Sequence, residues 1–197
     1  MKIDKNHEFV QWVFEQHNAI NHVYDSKGAV PLPYTFHLDL SAKVLEKPEL
    51  QMDGIFQFLK DKFNIKQSEI IKALYAHDLL EDVPSRVSYN DLLKAPGIDS
   101  DGDNKVTIAN LVFAVTNNTG KTRKERANWE YYEKIRNTPG ATVIKMGDRI
   151  ANVEYGLLTN NFHSVGMYRN EYPDFKYEIF FVEYKPLFDY LEKRLGL

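Results

Sequence analysis

Ile70-Ile-Lys-Ala-Leu-Tyr-Ala-His77-Asp78-Leu-Leu-Glu81-Asp82 is the stretch on which the fold turns. Its apolar residues fall on nearly every side of a 3.6-residue helix, so the segment is predicted to run through the core rather than along the surface. Yet its end is crowded with ionisable groups. At about 100° per residue, His77, Asp78, Glu81 and Asp82 project at roughly 0°, 100°, 40° and 140°, on one face. Three carboxylates this close repel one another, and burying them uncompensated costs several kcal/mol each. They therefore line a wet cleft or share a cation.

Working outward, the helical period recurs on both sides and no segment alternates with a two-residue period for long. Ser88-x-x-Asp91 and Thr122-x-x-Glu125 mark helix starts, the latter as a capping box. Pro31, Pro33, Pro96-Gly97 and Pro139-Gly140 mark breaks. The expected architecture is an all-α helical bundle of about nine helices, near 6–20, 37–46, 51–63, 68–81, 88–94, 106–117, 122–137, 141–158 and 174–194. The irregular stretches at 20–36 and 159–173 are expected to frame a binding mouth.

At 197 residues the chain fits one domain, and 43% hydrophobic residues with 13% aromatic suit a folded core. No run approaches the roughly 18 apolar residues of a membrane span, so no membrane partner is expected. The first residues, MKIDKNHEFV, lack a basic-then-apolar leader pattern, and cysteine is absent, so the cytoplasm is the expected compartment. A net charge of −3 gives no global attraction to a nucleic-acid polymer, which favours a small anionic substrate captured locally. Without cysteine, histidine and carboxylate remain as metal ligands, and the chain has six histidines.

Asp99, Asp101 and Asp103 stand at the first, third and fifth positions of an EF-hand loop, but Asn104 and Asn110 occupy the places of its glycine and its bidentate glutamate. An acidic, solvated turn is expected there. Two further residues stand out. In Ala141-Thr-Val-Ile-Lys-Met-Gly-Asp148-Arg-Ile-Ala-Asn152-Val, an apolar face through Val143, Met146, Ile150 and Val153 is separate from a polar line of Lys145, Asp148 and Asn152. Asp148 is either an ion-pair partner of Lys145 or Arg149, or a ligand. His37 follows Pro33-Tyr34-Thr-Phe at a helix start, as a packed histidine or as a ligand. His7, His17, His22 and His163 are expected to be packed or loop histidines.

The order Pro33-Tyr34-x-x-His37, His77-Asp78-x-x-Glu81-Asp82, Ile144-Lys145-x-x-Asp148-Arg149-x-x-Asn152 resembles the HD-domain guanosine-bis-diphosphate 3'-pyrophosphohydrolases. These are the hydrolase halves of the Rel/SpoT stringent-response enzymes and their small stand-alone relatives, the metazoan SpoT homologue among them. The resemblance covers about residues 17–182 of a single domain, 1–197. It implies that His37, His77, Asp78 and Asp148 hold one divalent ion, usually manganese, and that Glu81 and Asp82 orient and deprotonate the attacking water. It implies also that Asn152 contacts the nucleoside and that Tyr34 shapes the pocket.

Lys121, Thr122, Arg123, Lys124 and Arg126 cluster at a predicted helix start, where the helix's positive end adds to their charge. Lys121 and Arg123 are the candidates for phosphate, unless they belong to a solvated basic turn. Tyr168 or Arg169 is a candidate at the pocket mouth, unless the segment is a connector. The chain departs from the family before Pro33-Tyr34, where an Arg-Lys pair is usual and Lys27 is the nearest counterpart, at Leu38 in place of proline, and at Gly147 in place of alanine. The implied substrate is guanosine tetra- or pentaphosphate. The alternatives are another HD-type activity, such as a 5'-nucleotidase or a phosphatase of a dinucleotide cofactor, and a non-catalytic nucleotide sensor.

Overall fold

In the computed structural model, which describes residues 3–25, 31–118 and 120–197, the fold is all-α. In chain order the described residues form α1 (Glu8–Asn18), α2 (Tyr34–Val44), α3 (Met52–Phe63), α4 (Gln67–Tyr75), the single turns α5 (Leu79–Asp82) and α6 (Tyr89–Leu92), then α7 (Lys105–Val115) and the single turn α8 (Arg123–Arg126). They continue with α9 (Trp129–Asn137), α10 (Ala141–Leu158), α11 (Phe162–Ile179) and α12 (Lys185–Leu195). Setting the three single turns aside leaves nine helices of at least nine residues among the described residues, the number expected but not the same nine segments. None of the described helices is long and apolar enough to cross a membrane.

α4 occupies the interior that its all-round apolar character demands. It buries Ile70, Ala73, Leu74 and Tyr75 and packs against α2, α7 and α10. α10 is the hub, touching α2, α4, α7, α9, α11 and α12 while burying Val143, Ile144, Met146, Ile150 and Val153. Each such side chain contributes about 1.5–3 kcal/mol when fully removed from water. Where α10 crosses α4 the contact is close: a Cβ on Gly147 would lie 3.0 Å from Leu74 Cδ2 and 3.2 Å from Leu74 Cδ1. Glycine at 147 thus lets the two helices approach at the residue before Asp148.

The structure departs from the periodicity in six places: the predicted helix 88–94 shrinks to the single turn α6, the predicted helix 174–194 is interrupted where Phe180 turns extended (φ −72°, ψ 130°) before α12, and four more have a local reason. The predicted helix 68–81 is broken: Ala76 (φ −99°, ψ 5°) and Asp78 (φ −99°, ψ 0°) leave helical geometry between α4 and α5. The cause is His77, whose Nδ1 donates at 2.7 Å to the carbonyl of Leu74, the acceptor that an unbroken helix offers to the amide of Asp78. The predicted helix 122–137 is two pieces, because the Asn128 side chain accepts from the Tyr131 amide and starts α9 afresh. The stretch 159–173, expected as irregular, is largely α11, capped by Asn161 on the Ser164 amide; Pro173 is tolerated inside it on an exposed side. The loop at 20–36 carries a short antiparallel pair, β1 (Val23–Asp25) and β2 (Leu32–Pro33), with Val23 opposite Pro33.

The acidic turn is also more than a solvated loop. Lys72, fully buried on α4, directs its ammonium into it, donating to the carbonyls of Gly97 (3.0 Å), Ile98 (3.2 Å) and Ser100 (3.2 Å) and to Ser100 Oγ (2.9 Å). The buried Asp103 carboxylate closes the shell at 2.9 Å. Ser68 Oγ donates to Asp103 at 2.6 Å, and Glu69 accepts the Asn104 amide at 2.6 Å and the Lys66 amide at 2.9 Å. The turn that resembles a calcium loop is therefore wrapped around a lysine.

Replacing that lysine removes the charge from a closed shell. Lys72→Met is expected to cost about 3–5 kcal/mol, because Asp103 stays buried without its counter-charge. Lys66→Met, at a largely exposed ammonium on the same turn, is expected to cost no more than about 1 kcal/mol. Urea titrations of the two variants check this, and equal losses would discard the internal-cation account.

Candidate metal centre

The four predicted ligands come from three places in the fold. His37 lies in the first turn of α2, His77 and Asp78 in the break between α4 and α5, and Asp148 in the middle of α10. The break matters for function, because it turns both His77 and Asp78 toward one point. His77 Nδ1 is committed to the Leu74 carbonyl, so its proton is there and Nε2 presents a lone pair to the site.

The donors converge. His77 Nε2 lies 2.9 Å from Asp78 Oδ2, 3.3 Å from His37 Nε2 and 3.7 Å from Asp148 Oδ1. His37 Nε2 lies 3.3 Å from Asp148 Oδ1 and 3.8 Å from Asp78 Oδ2. Around an ion with ligands at about 2.1–2.2 Å, neighbouring donors stand about 3.0–3.1 Å apart in an octahedron and about 3.4–3.6 Å in a tetrahedron. The observed separations, 2.9–3.8 Å, bracket that range; His37, His77 and Asp78 form a group that could hold a metal ion, and Asp148, paired with Lys145, flanks it beside both imidazoles. His37 and His77 are almost completely buried and Asp148 is 8% exposed, so the charges are desolvated. Burial pulls the His77 pKa down, but the charges of Asp78 and Asp148 outweigh it and hold the pKa well above the usual histidine range. The pocket asks for positive charge whichever species supplies it.

Surrounding contacts fix these ligands. Tyr34 OH donates to Asp78 Oδ2. Lys145 Nζ donates to Asp148 Oδ2 at 2.7 Å, while Asp148 Oδ1 faces the imidazoles, so the ion pair and the ligand role share one carboxylate. Asn152, expected at the nucleoside, has its amide engaged with the site itself: Nδ2 donates to Asp148 Oδ1 at 2.6 Å, and Oδ1 accepts from Tyr24 OH at 2.8 Å. Tyr24, which the sequence pattern does not single out, also stacks on His37, with ring centroids 4.7 Å apart. That contact supports a ring whose own Nδ1 is buried with no hydrogen-bond partner among the described residues.

Glu81 and Asp82 diverge. Glu81 accepts from the Asn117 amide at 2.9 Å and from Arg126 Nη1 at 3.2 Å, so both carboxylate oxygens are occupied. Asp82 faces His22 instead, Oδ2 lying 3.8 Å from His22 Nδ1. Burial, then the charges of Asp78 and Glu81, push the Asp82 pKa up to about 7. Of the two, Asp82 is the group poised to exchange a proton near neutrality.

The basic cluster takes a different form from the one predicted. α8 is a single turn whose leading amides are already used: Glu125 Oε2 accepts from Lys121 N at 2.7 Å and from Thr122 N at 3.2 Å. A single turn adds little helix dipole for an anion, and Lys121 is exposed. Arg123 donates through Nη2 to Glu171 at 3.0 Å and lies 5.0 Å from the centre of the Tyr168 ring. Arg149, buried against Phe175, reaches the same Glu171 at 3.3 Å. Arg123 and Tyr168 are thus brought together, with Arg149 and Glu171 as members that the sequence did not flag. Arg169 turns away to the carbonyl of Gly196. Lys27 lies outside the described residues.

A cleft of ≈ 740 Å³ opens elsewhere, between the start of the chain, α2, α3 and α4, and none of the four ligands lines it. We give the ligand cluster precedence over this larger space because burial and convergent donors, not volume, mark chemistry.

Metal binding makes a stability prediction. Adding Mn²⁺ at about 100 times its Kd to chelator-stripped protein is expected to stabilise it by about 2.7 kcal/mol for one site. The shift, read as a rise in Tm, is expected to shrink sharply in His77→Ala and Asp148→Ala. Unchanged metal-induced shifts in both variants would remove these residues from the site.

Comparison with known proteins adds no relative: no family model, no curated protein and no solved structure matches the chain.

Proposed function

We propose that the protein is a metal-dependent phosphohydrolase of HD type that acts on a small phosphorylated nucleotide. The reaction proposed is removal of the 3'-pyrophosphate from guanosine tetra- or pentaphosphate. The observation that supports this reading is the meeting of His37, His77 and Asp78 as a group that could hold a metal ion, with Asp148 from a third part of the chain 3.3 Å from His37 Nε2. Manganese is the proposed ion, and the mixed imidazole and carboxylate donors suit it. When bound, it supplies Lewis acidity toward a water and toward phosphoryl oxygens.

The chain's own residues do the rest. Asp82, with its pKa raised to about 7, takes a proton from water as the water oxygen attacks phosphorus. The bond from phosphorus to the ester oxygen breaks, and that oxygen leaves and is protonated. Glu81 is held by Arg126 and the Asn117 amide, so it braces the end of α5 that carries Asp82. Tyr34 and Asn152 position Asp78 and Asp148. Arg123 and Arg149, which share Glu171, are the cations proposed to meet substrate phosphate beside Tyr168.

Purified protein incubated with a nucleotide panel, with Mn²⁺ and with chelator, tests the proposal. Pyrophosphate release from guanosine tetraphosphate in the Mn²⁺ arm is expected, and no turnover above the chelated control on any member would defeat it. Asp82→Asn is expected to lose about 10²–10⁴-fold in kcat while keeping the ion at His37, His77, Asp78 and Asp148. Full activity in that variant would end Asp82's role as base.

A further inference from the structure

Next to the predicted ligands lies a second convergence of donors, of which the proposed function uses only Asp82. His17 closes α1, His22 precedes β1, and Asp82 ends α5. His17 Nδ1 and His22 Nδ1 face each other at 3.1 Å, and Asp82 Oδ2 is 3.8 Å from His22 Nδ1. One donor atom from each of the three residues lies within 4.8 Å of the other two. The sequence offers both histidines only as packed or loop residues, and the turn after α1, through Asn21 at φ 53°, brings His22 back beside His17, its amide donating to the His17 carbonyl at 3.2 Å.

The imidazoles are not placed as ordinary packing partners. Two neutral rings meeting Nδ1 to Nδ1 satisfy each other only if one of them carries its proton on that nitrogen. His17 is fully buried, and its Nε2 has no partner among the described residues, so no second hydrogen bond selects that tautomer. Both rings are held rigidly instead. Tyr34 stacks on His22 with centroids 3.7 Å apart and on His17 with centroids 5.0 Å apart. The Tyr34 hydroxyl bonds Asp78, a first-site ligand, so one side chain forms the wall between the two clusters. Two lone pairs about 3.1 Å apart match neighbouring positions around an ion at about 2.2 Å.

We propose that His17, His22 and Asp82 form a second divalent-cation site beside the first, Asp82 giving Oδ2 to the ion and keeping Oδ1 for the water. Two nitrogens and one oxygen suit a borderline ion such as zinc, manganese or ferrous iron. Three protein donors leave coordination positions free, and the partly exposed side chains of His22 and Asp82 put those positions on the solvent side. A phosphoryl oxygen of a polyanionic substrate is the chemistry that fits them. The inference deepens the metal-dependent reading, and it is decided by metal count rather than by activity.

Chelator-stripped protein is reloaded with excess Zn²⁺, desalted, and its metal content measured by mass spectrometry alongside His22→Asn and His77→Ala. The expected result is two ions per chain in the wild type and one in His22→Asn, with His77→Ala also losing one. One ion in the wild type, unchanged in His22→Asn, overturns the second site and leaves the first. Two ions in both the wild type and His22→Asn overturns it as well, since the extra ion then lies elsewhere. No ion in the wild type overturns both. Should His22→Asn fail to fold by circular dichroism, an anomalous difference map of Zn²⁺-soaked wild-type crystals decides: a peak between His17 and His22 supports the site, and no peak there overturns it.

Discussion

Two carboxylates largely removed from water, Asp78 in the break between α4 and α5 and Asp148 on α10, facing two imidazoles, are the constraint around which the rest is arranged. Such a group is costly without a positive centre. The fold accepts that cost at a junction where it also breaks a helix, narrows a helix crossing to a glycine and lays aromatic rings along the approach. Local stability alone would favour an unbroken α4 and an alanine at 147. Both concessions serve the same end, because they bring His77 and Asp148 within reach of each other.

The second layer of contacts divides the work. Leu74's carbonyl sets the tautomer of His77, Lys145 takes one oxygen of Asp148, and Asn152 takes part of the other. Tyr34 links Asp78 to the His17–His22 pair. The ionisable groups are therefore connected rather than merely adjacent, and a change at one end of the chain of rings is felt at the other.

How much of this is legible in the sequence varies with the kind of interaction. His77, Asp78 and Asp148 stand out because charge in an apolar helix is expensive, and the all-α class follows from an unbroken 3.6-residue period. The break after Tyr75 is not legible, because it depends on one imidazole outcompeting an amide for one carbonyl. Glu81 and Asp82 look equivalent as a pair, and only the positions of Arg126 and Asn117 separate them. His17 and His22 are inconspicuous singly, since a turn through left-handed Asn21 at the end of α1 is what unites them. Pro173 misleads because its missing donor falls on an exposed side of α11.

Lys72 sets the two ends of α4 apart. At the N-terminal side the helix is moored by a loop that carries its own counter-ion, covalently attached and always present. At the C-terminal side the helix runs into a cluster that depends on what the surroundings deliver. The anchoring of α4 at its start is thus independent of whatever charge meets the carboxylates at its other end.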